Sequence, residues 1–328
     1  VLIDSFSVRT AEPSRTNVPV ASGILDEVSS DPVIELCLPY RSPMDAEGVV
    51  AYLARRAVPG VEEVVDGTYA RSLRLRHGAG TAELRPADRH ISAIYRLDDP
   101  RDLEEAVRRS RVLFDLDADP SPALVALRDD PVIGPIARVN PGRRIPGHVD
   151  PNEIAFRAVL GQQVSLAGAA TLAGRLVADY GEPLARPREG VTHLFPTAAA
   201  LSDADPGRLA MPASRARALL TLAGALAGGQ LVLDPAGDRD RVREELLELR
   251  GIGPWTADYV ALRALRDPDV FLASDLGVRR ALERLGLDGS PRNALQVAEK
   301  WRPYRATALM HLWSVLASPD ARSVVSTD

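Results

Sequence analysis

Cysteine is almost missing. Cys37 is the only one in 328 residues, which excludes an internal disulfide framework and any four-cysteine zinc or iron–sulfur site. Within the apolar run Val33 to Leu38 it reads as a buried strand residue. Lysine is equally scarce: Lys300 stands alone, so a lysine nucleophile has one candidate and cationic work falls to arginine, which contacts phosphate bidentately. The five histidines, His77, His90, His148, His193 and His311, lack metal-ligand spacing and speak against a metal enzyme. No apolar run approaches the roughly 20 residues of a bilayer span, and the amino end carries no secretory pattern. A cytoplasmic protein without a membrane partner is expected. Excess positive charge is absent too: a net charge of -5 and a pI near 5.7 argue against coating nucleic acid through bulk charge, while leaving room for a local basic groove. Aromatics make up 5% of the chain.

What is present is ordinary for a globular protein, with 45% hydrophobic and 26% charged residues and enough length for two or three cores. Residues 1–30 show no sustained period and read as a tail or linker. From Val33 the pattern becomes α+β, and a sheet domain is placed at 31–118. VIELCLP, Tyr69–Arg76, TAELRP and HISAIYRL read as antiparallel strands, His77-Gly78-Ala79-Gly80 as a hairpin, and AEGVVAYLARRA and DPRDLEEAVRRSRVLFDL as helices. Residues 119–150 hold a short helix and a Pro/Gly/Arg-rich interdomain crossing, whose Arg138, Arg143 and Arg144 are either phosphate contacts or solvated linker residues.

After Asp150 the chain reads as nearly all helix to 318, with a tail at 319–328. Asp150-Pro151-Asn152-Glu153 has the form of a capped helix start. Gly161-Gln162-Gln163-Val164 interrupts two helices with an unexplained pair of amides, and Thr197, Ser202 and Ser214 read as caps of short helices. In LRGIGPWTADY, glycines 251 and 253 link a helix carrying Val242, Leu246 and Leu249 on one stripe to a second helix whose first amides they leave uncovered, an arrangement that binds a phosphate. An ordinary helix–helix turn explains the same glycines. Trp255, Tyr259 and Leu262 form a stripe that is core in the plain reading. In the functional one it is an electron-rich cleft that selects a positively charged base, since rings attract cations. WRPYRATALMHLWSVL adds Trp301, Tyr304 and Trp313. Asp275 opens the next helix, as a plain N-cap or as a carboxylate held near a helix dipole to stabilise developing positive charge.

Taken together, GIGPWTADYVALR, DVFLASDLGVRRAL, VVDGTYARSLRLR, RVLFDLDADP, RIPGHVDPNEIAFRAVLGQQVS and WRPYRATALMHLW resemble the helix-hairpin-helix DNA glycosylase superfamily, in the manner of bacterial 3-methyladenine DNA glycosylases, over residues 35 to 318. The resemblance implies a sheet domain like half of a TATA-binding protein, followed by mostly helical glycosylase domains around a cleft, with the helix-hairpin-helix at 240–266. It implies a monofunctional enzyme that flips alkylated purines such as 3-methyladenine out of duplex DNA and excises them in base excision repair. Asp275 matches the catalytic aspartate; Trp255, Tyr259 and Trp313 match aromatics of the base pocket. Gln163 matches the wedge that fills the gap in the duplex, where one relative carries leucine, so a more polar fill is expected here. Gly251, Ile252, Gly253 and Thr256 match the DNA-binding hairpin, and the backbone carbonyls of Leu247, Leu249 and Ile252 match a site for Na+ or K+. No cofactor is required and no iron–sulfur cluster is implied. The protein is expected to be a monomer.

Two departures bear on activity. Leu276-Gly277 stands where relatives carry bulkier residues, so a roomier pocket is expected. Trp255 occupies the position that holds a lysine in relatives that also cleave the strand, and without that amine no Schiff base forms. The competing reading is a non-catalytic helix-hairpin-helix module that clamps DNA phosphates, which needs neither Asp275 nor the aromatics around it.

Overall fold

The computed structural model describes residues 33–316; the stretches read as tails, 1–30 and 319–328, lie outside the described residues. The first half runs β1 (Val33–Pro39), α1 (Ala46–Ala54), β2 (Glu62–Val65), β3 (Thr68–Arg74), β4 (Ala79–Ala87), β5 (His90–Leu97) and α2 (Leu103–Phe114). The five strands form one antiparallel sheet in the order β1-β5-β4-β3-β2. Period-two alternation decides which side of each strand is buried. Leu36 and Leu38 turn inward beneath α1 and α2, joining Tyr52, Tyr69, Leu73, Ile91 and Phe114. Cys37, between them, therefore points the other way and is exposed rather than buried. The edge strand β2 was not anticipated: Glu62 and Glu63 disguise it, although Glu62 pairs with Arg71 in the ladder.

The remaining elements are α3 (Ser121–Leu127), α4 (Ile133–Val139), α5 (Pro151–Leu160), α6 (Leu166–Tyr180), β6 (Glu182–Arg188), β7 (Val191–Leu194), α7 (Ala198–Ser202), α8 (Ala213–Ala227), α9 (Arg239–Glu248), α10 (Pro254–Arg263), α11 (Leu276–Arg284), α12 (Pro291–Ala298) and α13 (Arg305–Val315). The fold is thus α+β, a sheet followed by helices. Three expectations need correction. The crossing contains α4; the second half is interrupted by the β6–β7 hairpin; and of the three caps only Thr197 caps, accepting from Ala200 N at 3.1 Å. Ser202 ends α7, and Ser214 lies inside α8, which Pro212 opens without a side-chain cap.

A buried ion-pair seam fixes the sheet against the helices. From β3, Arg71 donates to Glu62 Oε1 at 3.1 Å and to Glu153 Oε2 of α5 at 2.7 Å. One turn on, Arg157 Nη1 reaches Glu153 Oε1 at 2.8 Å and Glu62 Oε2 at 3.0 Å. Tyr69 OH completes the set on Glu62 at 2.6 Å. On the sheet's other flank Ser72 Oγ donates to His193 O of β7 at 2.7 Å. This docking turns the end of α1 toward α10. Among the described residues, no helix is long and apolar enough to cross a membrane, and no group of three or more His, Cys, Asp or Glu residues is placed to hold a metal ion.

Candidate active site

A cleft of about 630 Å³ opens between α1, the amino end of α6, α10, α11 and α13. Asp275 enters it as the N-cap of α11: its Oδ1 accepts from Val278 N at 3.1 Å, so the cap hydrogen bond fixes the carboxylate at the helix end. Two indoles complete its surroundings. Trp313 Nε1 donates to Oδ1 and Trp255 Nε1 to Oδ2, each at 2.9 Å. All three partners donate, which matches an acceptor-only carboxylate. Gly277 makes this possible, because a Cβ there would lie 2.9 Å from Asp275 Oδ1 and 3.1 Å from Trp313 Cδ1.

Behind Asp275, Trp255 and Tyr259 stack one turn apart on α10, with ring centroids 5.4 Å apart and planes 21° apart. The next turn brings Arg263, which is buried. Its Nη1 donates to Tyr259 OH at 3.0 Å and to Tyr52 OH of α1 at 2.7 Å, and its other nitrogens reach the carbonyls of Pro146 and Gly147. Burial by itself would push the Tyr259 phenol up. The Arg263 and Arg56 charges and the hydrogen bond with Tyr52 outweigh it and bring the pKa down to about 8. Tyr52 moves the opposite way, raised chiefly by burial.

The structure brings Asp275, Trp255, Tyr259 and Trp313 onto one cleft. Trp301 is elsewhere, fully buried against Phe271 at 5.7 Å. Arginines line the cleft beside the aromatics: Arg55, Arg56, Arg143 and Arg263 face it, and the Arg56 guanidinium lies 3.6 Å from the centre of the Tyr52 ring. Of the crossing arginines, Arg143 faces the cleft, Arg144 is buried and tied to the carbonyls of Arg41, Pro43 and Ala118, and Arg138 donates to Arg128 O. Tyr52, Arg56 and Arg263 were not singled out in the sequence. The only hint was LARRA at the end of a helix.

At the hairpin, Gly251 adopts φ +93°, and a Cβ would come within 2.6 Å of Ala218 Cβ, so both conformation and space require glycine. Gly253 opens α10 without a side-chain cap, and Pro254 brings no N–H, which leaves the first amides of α10 without an intrahelical partner. Thr256 is buried; its hydroxyl accepts from Gln162 Nε2 at 3.0 Å, and the same nitrogen reaches Gly251 O at 3.0 Å. Ile252 is also buried, with its amide given to Leu249 O at 3.0 Å, so what it offers outward is a carbonyl. The carbonyls of Leu247, Leu249 and Ile252 lie at the end of α9 and in the turn that follows. The amide pair divides: Gln162 braces the hairpin, whereas Gln163 is exposed, in the left-handed region at φ +54°.

Comparisons with known proteins place this geometry. The AlkA N-terminal domain family matches residues 35–150, and the HhH-GPD superfamily of base excision DNA repair proteins matches residues 156–303. A probable bifunctional transcriptional activator/DNA repair enzyme AlkA of Mycobacterium tuberculosis is 46% identical over 307 residues, covering 94% of this chain; the chain spans 62% of that relative's length. DNA-3-methyladenine glycosylase 2 of Escherichia coli is 38% identical over 283 residues, covering 84% of this chain and 95% of that protein. The solved structure of a 3-methyladenine DNA-glycosylase from Archaeoglobus fulgidus superposes with a TM-score of 0.73 at 23% identity, over 86% of this chain and 97% of that one, and shows the same fold.

Proposed function

Because the chain belongs to the HhH-GPD superfamily of base excision DNA repair proteins, in the branch that carries the AlkA N-terminal domain, we propose that it is a monofunctional DNA glycosylase that releases alkylated purines such as 3-methyladenine from duplex DNA. The observation that carries this reading is the Asp275 carboxylate, held by two indole N–H groups at 2.9 Å at the mouth of an aromatic cleft. A non-catalytic phosphate clamp has no use for that arrangement.

The hairpin amides take a DNA phosphate at the amino end of α10. The damaged nucleotide turns out of the stack into the cleft, and Gln163, exposed on its left-handed corner, fills the gap. A purine alkylated at N3 or N7 is already cationic, so its departure needs no proton donor. As the bond breaks the sugar gains positive charge, which Asp275 stabilises across a short distance in a partly dry site while orienting the attacking water. The indoles keep the carboxylate in place without neutralising it. Trp255 offers no amine for a Schiff base, and Lys300, the only lysine, does not line the cleft. The product is therefore an unbroken strand with an abasic site. No cofactor enters the reaction. The carbonyls of Leu247, Leu249 and Ile252 are oxygen donors at the negative end of α9, the chemistry that suits Na+ or K+ and steadies the hairpin. The protein acts in this reading as a cytoplasmic monomer.

The test is incubation with methylated duplex DNA. Free 3-methyladenine together with strand cleavage only after alkali or heat is expected; DNA binding without base release would leave the clamp, and cleavage without treatment would mean a lyase.

A further inference from the structure

The side of the cleft formed by the end of α1 and the crossing carries charge that the reaction above does not use. Arg55 and Arg56 follow the last turn of α1, and Arg143 lies in the crossing before α5; all three line the cleft. None makes an ion pair among the described residues. Arg56 Nη1 donates to Tyr52 O at 3.1 Å, but the Nε atoms of Arg56 and Arg143 are buried without an acceptor. The nearby carboxylate, Asp45, is already taken by Gly48 N at 2.8 Å and Asn140 Nδ2 at 2.6 Å. His311, buried beside Arg143, has no hydrogen-bond partner at either ring nitrogen and stays uncharged, so it does not offset the arginines. Buried guanidinium donors without acceptors are unfavourable unless something supplies the acceptor.

These arginines border the aromatic box. Arg56 covers the Tyr52 ring at 3.6 Å, Tyr52 meets Tyr259 through Arg263, and Tyr259 stacks on Trp255, whose indole holds Asp275. The cleft thus carries a carboxylate at the start of α11 and guanidinium groups at the end of α1 and in the crossing.

We infer that Arg56 and Arg143, with Arg55 beside them, form a leaving-group site whose N–H donors take up the electron-rich edge of the departing base. The inference rests on the glycosylase reading. When the C1′–N bond breaks, its electron pair goes to the base nitrogen, while the oxygen of water bonds to C1′ and gives up one proton. A cationic alkylated base becomes neutral in this step and gains little from a guanidinium. A neutral base leaves as an anion, which guanidinium donors stabilise until it takes a proton from solvent. The same charges disfavour the binding of a cationic base. The arginines therefore tune the enzyme toward uncharged, oxygen-bearing bases.

The experiment compares single-turnover release from duplexes with one cationic lesion, 7-methylguanine, and one neutral base, hypoxanthine. Wild type is expected to release both. Arg143→Gln should lower the ratio of neutral to cationic release by about tenfold, and Arg143→Lys should restore it to within about threefold. Arg55→Gln, an exposed position, should lower the ratio in the same direction and serves if Arg143→Gln does not fold. An unchanged ratio, an equal fall for both bases, or a wild type that releases only the cationic base overturns the inference and leaves the glycosylase reading standing. A wild type that releases neither base overturns the glycosylase reading itself, and the inference with it.

Discussion

The seam between sheet and helices and the wall of the cleft are both rich in arginine, and Arg157 belongs to both. In the seam each guanidinium meets carboxylates: Arg71 and Arg157 each contact Glu62 and Glu153; Arg71, Glu62 and Glu153 are buried, and Arg157 is partly exposed on the cleft side. On the cleft wall Arg55, Arg56 and Arg143 make no ion pair among the described residues; burial lowers the pKa of Arg55 and Arg143, opposed at Arg143 by the Asp45 charge and reinforced at each by a neighbouring arginine. The seam is electrostatically closed, so it holds two parts of the molecule in one arrangement. The wall is open, and its charge is available to something that arrives from outside. Buried charge thus marks structure where it is matched and function where it is not.

The largest expected effect of a single substitution tests the closed half of this contrast. Glu153→Gln leaves Arg71 and Arg157 under-compensated and should cost about 3–5 kcal/mol in urea unfolding. Arg143→Gln should change stability by less than about 0.5 kcal/mol. Equal costs for the two would erase the distinction.

Next come two histidines, one beside the arginines of each region: His148, partly buried, and His311, fully buried. Burial holds His148 down to about 4 and His311 to about 3, against an ordinary 6.5. Because both folded values are depressed, the unfolded chain binds more protons between these limits. Stability is full above pH 6.5 and falls as pH drops toward 3. A loss of about 3 kcal/mol from each ring by pH 4, about 6 kcal/mol for the two, is expected in urea midpoints measured across that range, and His311→Phe should remove about half of the slope. A midpoint flat from neutrality to pH 4 would contradict the burial of neutral rings.

Smaller still is the effect of loosening the carboxylate. Trp313→Phe removes one of the indole donors and should slow base release about tenfold with DNA affinity kept. Gly277→Ala, which crowds the same contact, should act in the same direction but more weakly. A large loss of DNA binding in Trp313→Phe would assign the indole to the interface instead.

The sequence made most of the fold legible, since alternation and capping signals are local. Strands β1, β3, β4 and β5, the α5 start at Asp150 and the turn at Gly251 all follow from neighbouring residues. What escaped depends on distant partners. Glu62-Glu63 looks too polar for a strand until Arg71 lies opposite, and Pro183 and Pro187 hide the β6–β7 hairpin that the sheet's flank completes. Cys37 reads as buried from its apolar neighbours, which mask the parity that Leu36 and Leu38 impose. Within the candidate site, Trp255, Tyr259 and Asp275 share a short stretch with a recognisable pattern, and Trp313 joins them from α13. Tyr52 and Arg56 share the end of α1, Arg143 comes from the crossing, and no spacing rule links either segment to Asp275. Gln162 and Gln163 are identical in type, and only the φ of +54° at Gln163 separates a brace from an exposed side chain.

The central claim is that Asp275 acts on the sugar while the aromatic cleft holds the base. It is tested most directly by Asp275→Asn, which keeps the side-chain oxygen that caps α11 and removes the charge. On methylated duplex DNA, single-turnover release of 3-methyladenine should fall by at least about a hundredfold, with binding to an abasic-site duplex within about threefold of wild type. Release at a near wild-type rate would contradict the account.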